Sequence, residues 1–75
     1  MITDLSRLKK GESAVVLDIA PECGMRGRLR DIGLIEGTKV TCVNKSPLDD
    51  PAAYIIRSAV IALRAEDSSH VKIQI

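Results

Sequence analysis

The period of the apolar residues changes several times along the chain, and each change predicts an element. Leu5 and Leu8 stand three apart with Thr3 ahead of them as a cap, which predicts one short helical turn within residues 3–10, ended by Gly11. The run Ser-Ala-Val-Val-Leu-Asp-Ile, residues 13–19, is β-branched and partly alternating, so it predicts a strand. Simple alternation places Val15, Leu17 and Ile19 on one face and Asp18 on the other. Pro21 closes this strand, because proline cannot donate to a ladder.

Residues 25–32 switch to a helical period. Met25, Leu29 and Ile32 fall at i, i+4 and i+7 and form one stripe, with Arg26, Arg30 and Asp31 on the solvent side and Arg28 nearer the boundary. Gly33 stands where a left-handed residue ends a helix, and Gly37 where the chain turns into the next strand. Residues 38–46 predict the second strand, with Val40 and Cys42 on one face and Thr41 and Val43 on the other. Pro47-Leu-Asp-Asp-Pro51 is a cluster of turn formers. Residues 52–58 and 59–64 predict a third and a fourth strand, and Ala65 to Ser69 one helical turn. Val71, Ile73 and Ile75 alternate with Lys72 and Gln74 in a fifth strand. About five short strands, with one short helix between the first and second, predict a mainly β chain curled into a small, partly open barrel.

A length of 75 residues predicts a single domain over 1–75 with a small core and little room for a deep catalytic cleft. Net charge is +1, from 11 basic and 10 acidic residues, which argues against a dedicated nucleic-acid binder. Tyr54 is the sole aromatic, so base-stacking platforms and aromatic peptide grooves are not available. The N-terminal stretch has no apolar signal-peptide core, and the longest apolar run, residues 59–63, is far short of the roughly 20 residues that span a bilayer. A soluble, cytoplasmic protein without membrane insertion is expected.

The chemistry-bearing residues do not assemble into a known reactive set. His70 is the only histidine and has no Ser or Cys partner in sequence. The carboxylate pairs Asp49-Asp50 and Glu66-Asp67 lie in turn-like segments, where acids cap locally. An enzyme is not expected. Cys23, Cys42 and His70 are too few and too scattered for a closed zinc site. Cys42 fits an inward strand position, while Cys23 falls in the loop before the helix, where exposure is expected. No metal residues and no cofactor are assigned, though a weak surface or intermolecular divalent-metal site stays open. Gly24-Met25-Arg26-Gly27 spells the GxxG of an RNA clamp, but the strand before it leaves no second helix to frame that clamp. That leaves Arg26, Arg28 and Arg30 beside Leu34 and Ile35, of which one is expected to pack on the helix, as a residue after a C-cap does, and the other to stay exposed as an apolar spot ringed by arginines. These five residues are the candidate partner-binding patch.

The chain also resembles the FeoA family along nearly its whole length. The matching pieces are Leu8-x-x-Gly11-Glu12-x-Ala14-x-Val16, then Arg28-Leu29-x-Asp31-Ile32-Gly33-Leu34-x-x-Gly37-Thr38-x-Val40. Ser46-Pro47-Leu48-x-Asp50-Pro51, Ile61-Ala62-Leu63-Arg64 and Val71-x-Ile73-x-Ile75 follow in the family's order. Three positions depart from it: Gly27 separates Arg26 from Arg28, Glu36 stands where Pro is common, and Ser58-Ala59 follow Arg57 where Gly is common. The resemblance implies an SH3-like barrel that is not an enzyme. It implies a cytoplasmic accessory protein that binds the cytosolic part of the membrane GTPase transporter FeoB and modulates ferrous iron uptake. The alternative it offers is a stand-alone metal- or ligand-sensing barrel, similar to the C-terminal domain of iron-dependent repressors.

Overall fold

In the computed structural model, which describes residues 1–48 and 50–75, the chain is mainly β. The strands are β1 (Ile2–Asp4), β2 (Ser13–Ile19), β3 (Lys39–Lys45), β4 (Ala52–Ile56), β5 (Ala59–Leu63) and β6 (Val71–Gln74). Helix α1 (Arg26–Asp31) lies between β2 and β3, and α2 (Ala65–Ser68) precedes β6. The strands form one antiparallel sheet in the order β1-β6-β2-β3-β4-β5. The expected turn at Pro47–Pro51 and the Asp49-Asp50 pair include Asp49, which lies outside the described residues.

The sheet bends until its ends approach. Tyr54 on β4 donates its hydroxyl to the Leu5 carbonyl at 3.3 Å, and Lys45 Nζ reaches the Ser6 carbonyl at 3.3 Å. Leu5 directly follows β1, which three other strands separate from β4 in the sheet. Only a curled sheet brings them together, and this curl is the partly open barrel. The core fills its inside with Leu5, Leu8, Val16, Leu29, Val40, Tyr54, Ile56 and Ile73 among others. Among the described residues no helix is long and apolar enough to cross a membrane.

The structure departs from the sequence-based expectations in five places. First, a sixth strand exists: β1 is three residues long, too short to show a period, and becomes a strand by pairing along β6. Second, the 3₁₀ turn that follows, Leu5–Arg7, is capped by Asp4 and not by Thr3; the Asp4 carboxylate accepts from the Ser6 N–H at 3.0 Å. Third, on β2 it is Ala14 and Val16 that face inward while Val15 faces out. The pairing with β6 slips between Val16 and Asp18, so a bulge at Leu17 restores Ile19 to the core and leaves Leu17 half-buried. Fourth, the expected third strand stops at Ile56. Arg57 and Ser58, both at positive φ, form a two-residue hairpin turn that no Gly or Asn announces. Fifth, Cys23 is buried: its N–H bonds back to the Ala20 carbonyl at 3.1 Å, and this turn tucks the side chain into the core. Cys42 is buried as expected, and both thiols are free.

Candidate functional site

Helix α1 and the turn after it are fixed by their ends. The Gly33 N–H bonds to the Arg30 carbonyl and the Leu34 N–H to the Leu29 carbonyl, both at 3.0 Å, while Gly33 adopts φ 110°. This is the Schellman arrangement, in which the residue after the glycine packs on the last helical turn. Leu34 and Leu29 meet that description, since both are wholly buried in the same cluster. The chain then turns at Ile35–Thr38, with the Thr38 N–H on the Ile35 carbonyl at 3.0 Å and Gly37 at φ 90°, as a type II turn requires. Glu36 occupies the position where such a turn favours proline. The Gly37 N–H to Val16 carbonyl bond, 2.8 Å, holds the turn against β2.

A shallow groove of about 100 Å³ results between α1, this turn and the bulged end of β2. Arg26 and Arg30, one helical turn apart, line it from α1; Leu17, Asp18 and Ile19 line it from β2, and Ile35 and Glu36 from the turn, with Leu34 buried beneath. Arg26 is half-buried, and its Nε donates to the Ile19 carbonyl at 3.1 Å, so it also ties α1 to β2. Of the five residues singled out in the sequence, Arg26, Arg30 and Ile35 thus line one depression. The expected order of exposure is reversed: Arg28, read as nearer the boundary, is exposed, while Arg26, read as solvent-facing, is the half-buried one. Arg28 also lies two residues from each of the other arginines, on the opposite side of the helix. Leu34 is core: at 0% exposure its side chain cannot reach a partner, and Ile35, 37% exposed, is the apolar contact available.

Sequence reasoning missed Leu17, Asp18 and Glu36 as neighbours of the arginines. The β2 bulge turns Leu17 toward the groove, and no alternation pattern marks a bulge. The two acids balance the two arginines, so the groove presents a mixed-charge rim around an apolar strip, not a uniformly basic surface.

A larger depression of about 510 Å³ opens over β1, β6 and the end of β2 and includes His70. Its floor carries a cross-strand row in which Lys72 pairs with Asp4 on one side and Asp18 on the other. Alternating charges there offset one another, and the Asp4 carboxylate is engaged with Ser6. Among the described residues no three His, Cys, Asp or Glu side chains gather closely enough to hold a metal ion.

Comparison with known proteins follows the same outline. A family model described as the FeoA domain matches residues 3–75. A curated relative from Porphyromonas gingivalis, the Fe(2+) transport protein A/Fe(2+) transporter FeoB fusion protein, is 31% identical over 71 residues. Those residues are 95% of this chain but only 8% of the relative, so the chain spans a small part of that protein's length. The solution structure of a FeoA protein from Chlorobium tepidum shares 32% identity with a TM-score of 0.88, covering 97% of this chain and 70% of that one. Stenotrophomonas maltophilia FeoA, solved in complex with zinc and described as a prokaryotic SH3 domain protein, shares 28% identity with a TM-score of 0.86. The match covers 96% of this chain and 89% of that one, and the SH3-like barrel is therefore the fold of this chain. A manganese-dependent transcriptional repressor superimposes with a TM-score of 0.83 over 96% of this chain and 40% of that one; at 15% identity this is a likeness of fold alone.

Proposed function

The chain belongs to the FeoA domain family, a family of ferrous iron transport, and from that premise we propose that it modulates ferrous iron uptake by binding the cytosolic part of a FeoB-type membrane GTPase. In this reading residues 1–75 act as one cytoplasmic domain with no catalysis of their own. The observation that carries the reading is the relative in which Fe(2+) transport protein A and FeoB are one polypeptide. Fusion holds two modules at high effective concentration, which is useful where the two act on each other.

The α1–β2 groove is the docking face this reading favours. Its residues sit on elements pinned by a Schellman motif, a type II turn and the Arg26–Ile19 bond, so little ordering entropy is lost on binding. Leu17 and Ile35 offer apolar contact, and Arg30 with Glu36 sets orientation and encounter rate through complementary charge. The sensing-barrel alternative draws on the repressor likeness, which extends to fold only.

The test is binding of the cytosolic part of the transporter to the wild-type chain and to the variants Ile35→Asp and Arg30→Glu. Both variants are expected to weaken binding with the melting temperature preserved. Absence of wild-type binding overturns the proposal, and equal binding by both variants moves the interface elsewhere. Ferrous uptake in a strain lacking the gene is expected to change; unchanged uptake favours the sensing barrel.

A further inference from the structure

Strand β5 ends the sheet, and its sequence Ala59-Val60-Ile61-Ala62-Leu63 carries no charge. Natural edge strands are usually blunted by brevity, a charge, a proline or a bulge. The opposite edge, β1, follows that rule, being three residues long with Asp4 within it. Strand β5 does not follow it. Val60 is 67% exposed, and Ile55, its cross-strand neighbour on β4, is also exposed, so the outer face next to this edge is apolar too.

The register fixes which backbone groups are free. The two-residue turn makes Ile56–Ala59 the closing hydrogen-bonded pair of the hairpin. Bonded and open pairs alternate from there, so Ala59, Ile61 and Leu63 bond to β4, while the N–H and C=O of Val60 and Ala62 point to the side that no described strand occupies.

We propose that β5 is the seam of a two-fold dimer, in which a second copy of this chain pairs antiparallel with it about Ile61 and one sheet runs through both molecules. A two-fold axis at Ile61 sets Val60 of each copy opposite Ala62 of the other. Each of those pairs exchanges both of its bonds, which satisfies every free group on the edge. Arg64 then falls opposite the uncharged Ser58. A slip of one residue in either direction would turn the free groups away from each other, and in one direction it would also set Arg64 opposite Arg57. A second copy suits the strand better than a charged partner segment, because nothing between Ser58 and Leu63 would pair with a charge.

Five residues extend about 17 Å, and such a contact falls well short of the roughly 800 Å² per partner of a stable interface. The dimer therefore exchanges with monomer and forms as concentration rises. Sedimentation equilibrium from about 10 µM to about 1 mM tests it. The average mass of the wild-type chain is expected to climb toward twice the monomer mass. Val60→Lys, a change at an exposed position that keeps the fold by circular dichroism, is expected to weaken association by about tenfold or more. Ile2→Lys, on the opposite edge, is expected to behave as wild type. A chain monomeric throughout, a Val60→Lys variant that associates normally, or equal loss in Ile2→Lys overturns the proposal.

Discussion

The side chain of Arg57 lies directly across Gly33. A Cβ at Gly33 would come within 2.6 Å of Arg57 Cδ and 3.1 Å of its Cγ. The end of α1 and the β4–β5 hairpin turn thus meet through the absence of one methyl group. The same glycine sits at φ 110°, so its two constraints, backbone and contact, coincide.

Gly33→Ala is expected to destabilise the chain by about 1 kcal/mol or more from the φ strain alone. The clash with Arg57 adds to this. Urea denaturation of Gly33→Ala, Arg57→Ala and the double variant separates the two contributions. The alanine should cost less in the Arg57→Ala background. Equal cost in both backgrounds would mean that Arg57 swings aside freely.

Ser58 is held at φ 69° in the hairpin turn, a conformation that costs an L-residue about 1 kcal/mol. Ser58→Gly relieves that cost and is expected to raise stability by about 0.5–1 kcal/mol. In a domain of this size that is a rise of roughly 2–8 °C in melting temperature. An unchanged or lowered melting temperature would mean that the greater freedom of glycine in the unfolded chain cancels the relief.

The Gly33 end of α1, the Gly37 turn and the inward faces of β3 and β6 were all legible in the sequence, because each rests on a local rule: a positive-φ glycine or a strict alternation. What was not legible depends on partners distant in sequence. Strand β1 exists only because β6 lies beside it. The Leu17 bulge, which inverts the faces of β2, is set by pairing with β6 and leaves no mark in the hydropathy pattern. Cys23 is buried by a turn that the composition of its loop does not announce. At the candidate site the sequence selected the arginines and the Leu34-Ile35 pair. Helix geometry then divides Arg28 from Arg26 and Arg30, and the Schellman packing that the glycine itself predicts takes Leu34 out of the surface.

Leu34 and Ile35 should therefore fail in different assays. Leu34→Ala opens a cavity beneath α1 and is expected to cost about 2–5 kcal/mol, read as a lower denaturation midpoint. Ile35→Ala removes an exposed side chain and is expected to stay within about 0.5 kcal/mol of wild type. If the α1–β2 groove docks a partner, Ile35→Ala weakens that binding while the fold is intact. A large stability loss in Ile35→Ala would instead make the residue part of the core.

Tyr54 is expected to give the chain an alkaline limit. It is the sole aromatic and is almost wholly buried, with its hydroxyl on the Leu5 carbonyl. Burial pushes its pKa above the ordinary value of 10.0, although the neighbouring Ser68 side chain pulls the other way. Between the unfolded and the folded pKa the native state keeps a proton that the unfolded chain has lost. Stability then falls as pH rises. The stabilisation is complete below about pH 10, the unfolded value, and is lost as pH climbs through the raised folded pKa. Tyrosinate absorbance reports this one residue directly, and it should appear together with unfolding, not before it. Tyr54→Phe is expected to cost about 1 kcal/mol at neutral pH through the lost hydrogen bond. It should also flatten the alkaline limb of the stability curve, since the variant has no phenol to ionise. An alkaline limb as steep in Tyr54→Phe as in wild type would assign it to the lysines instead.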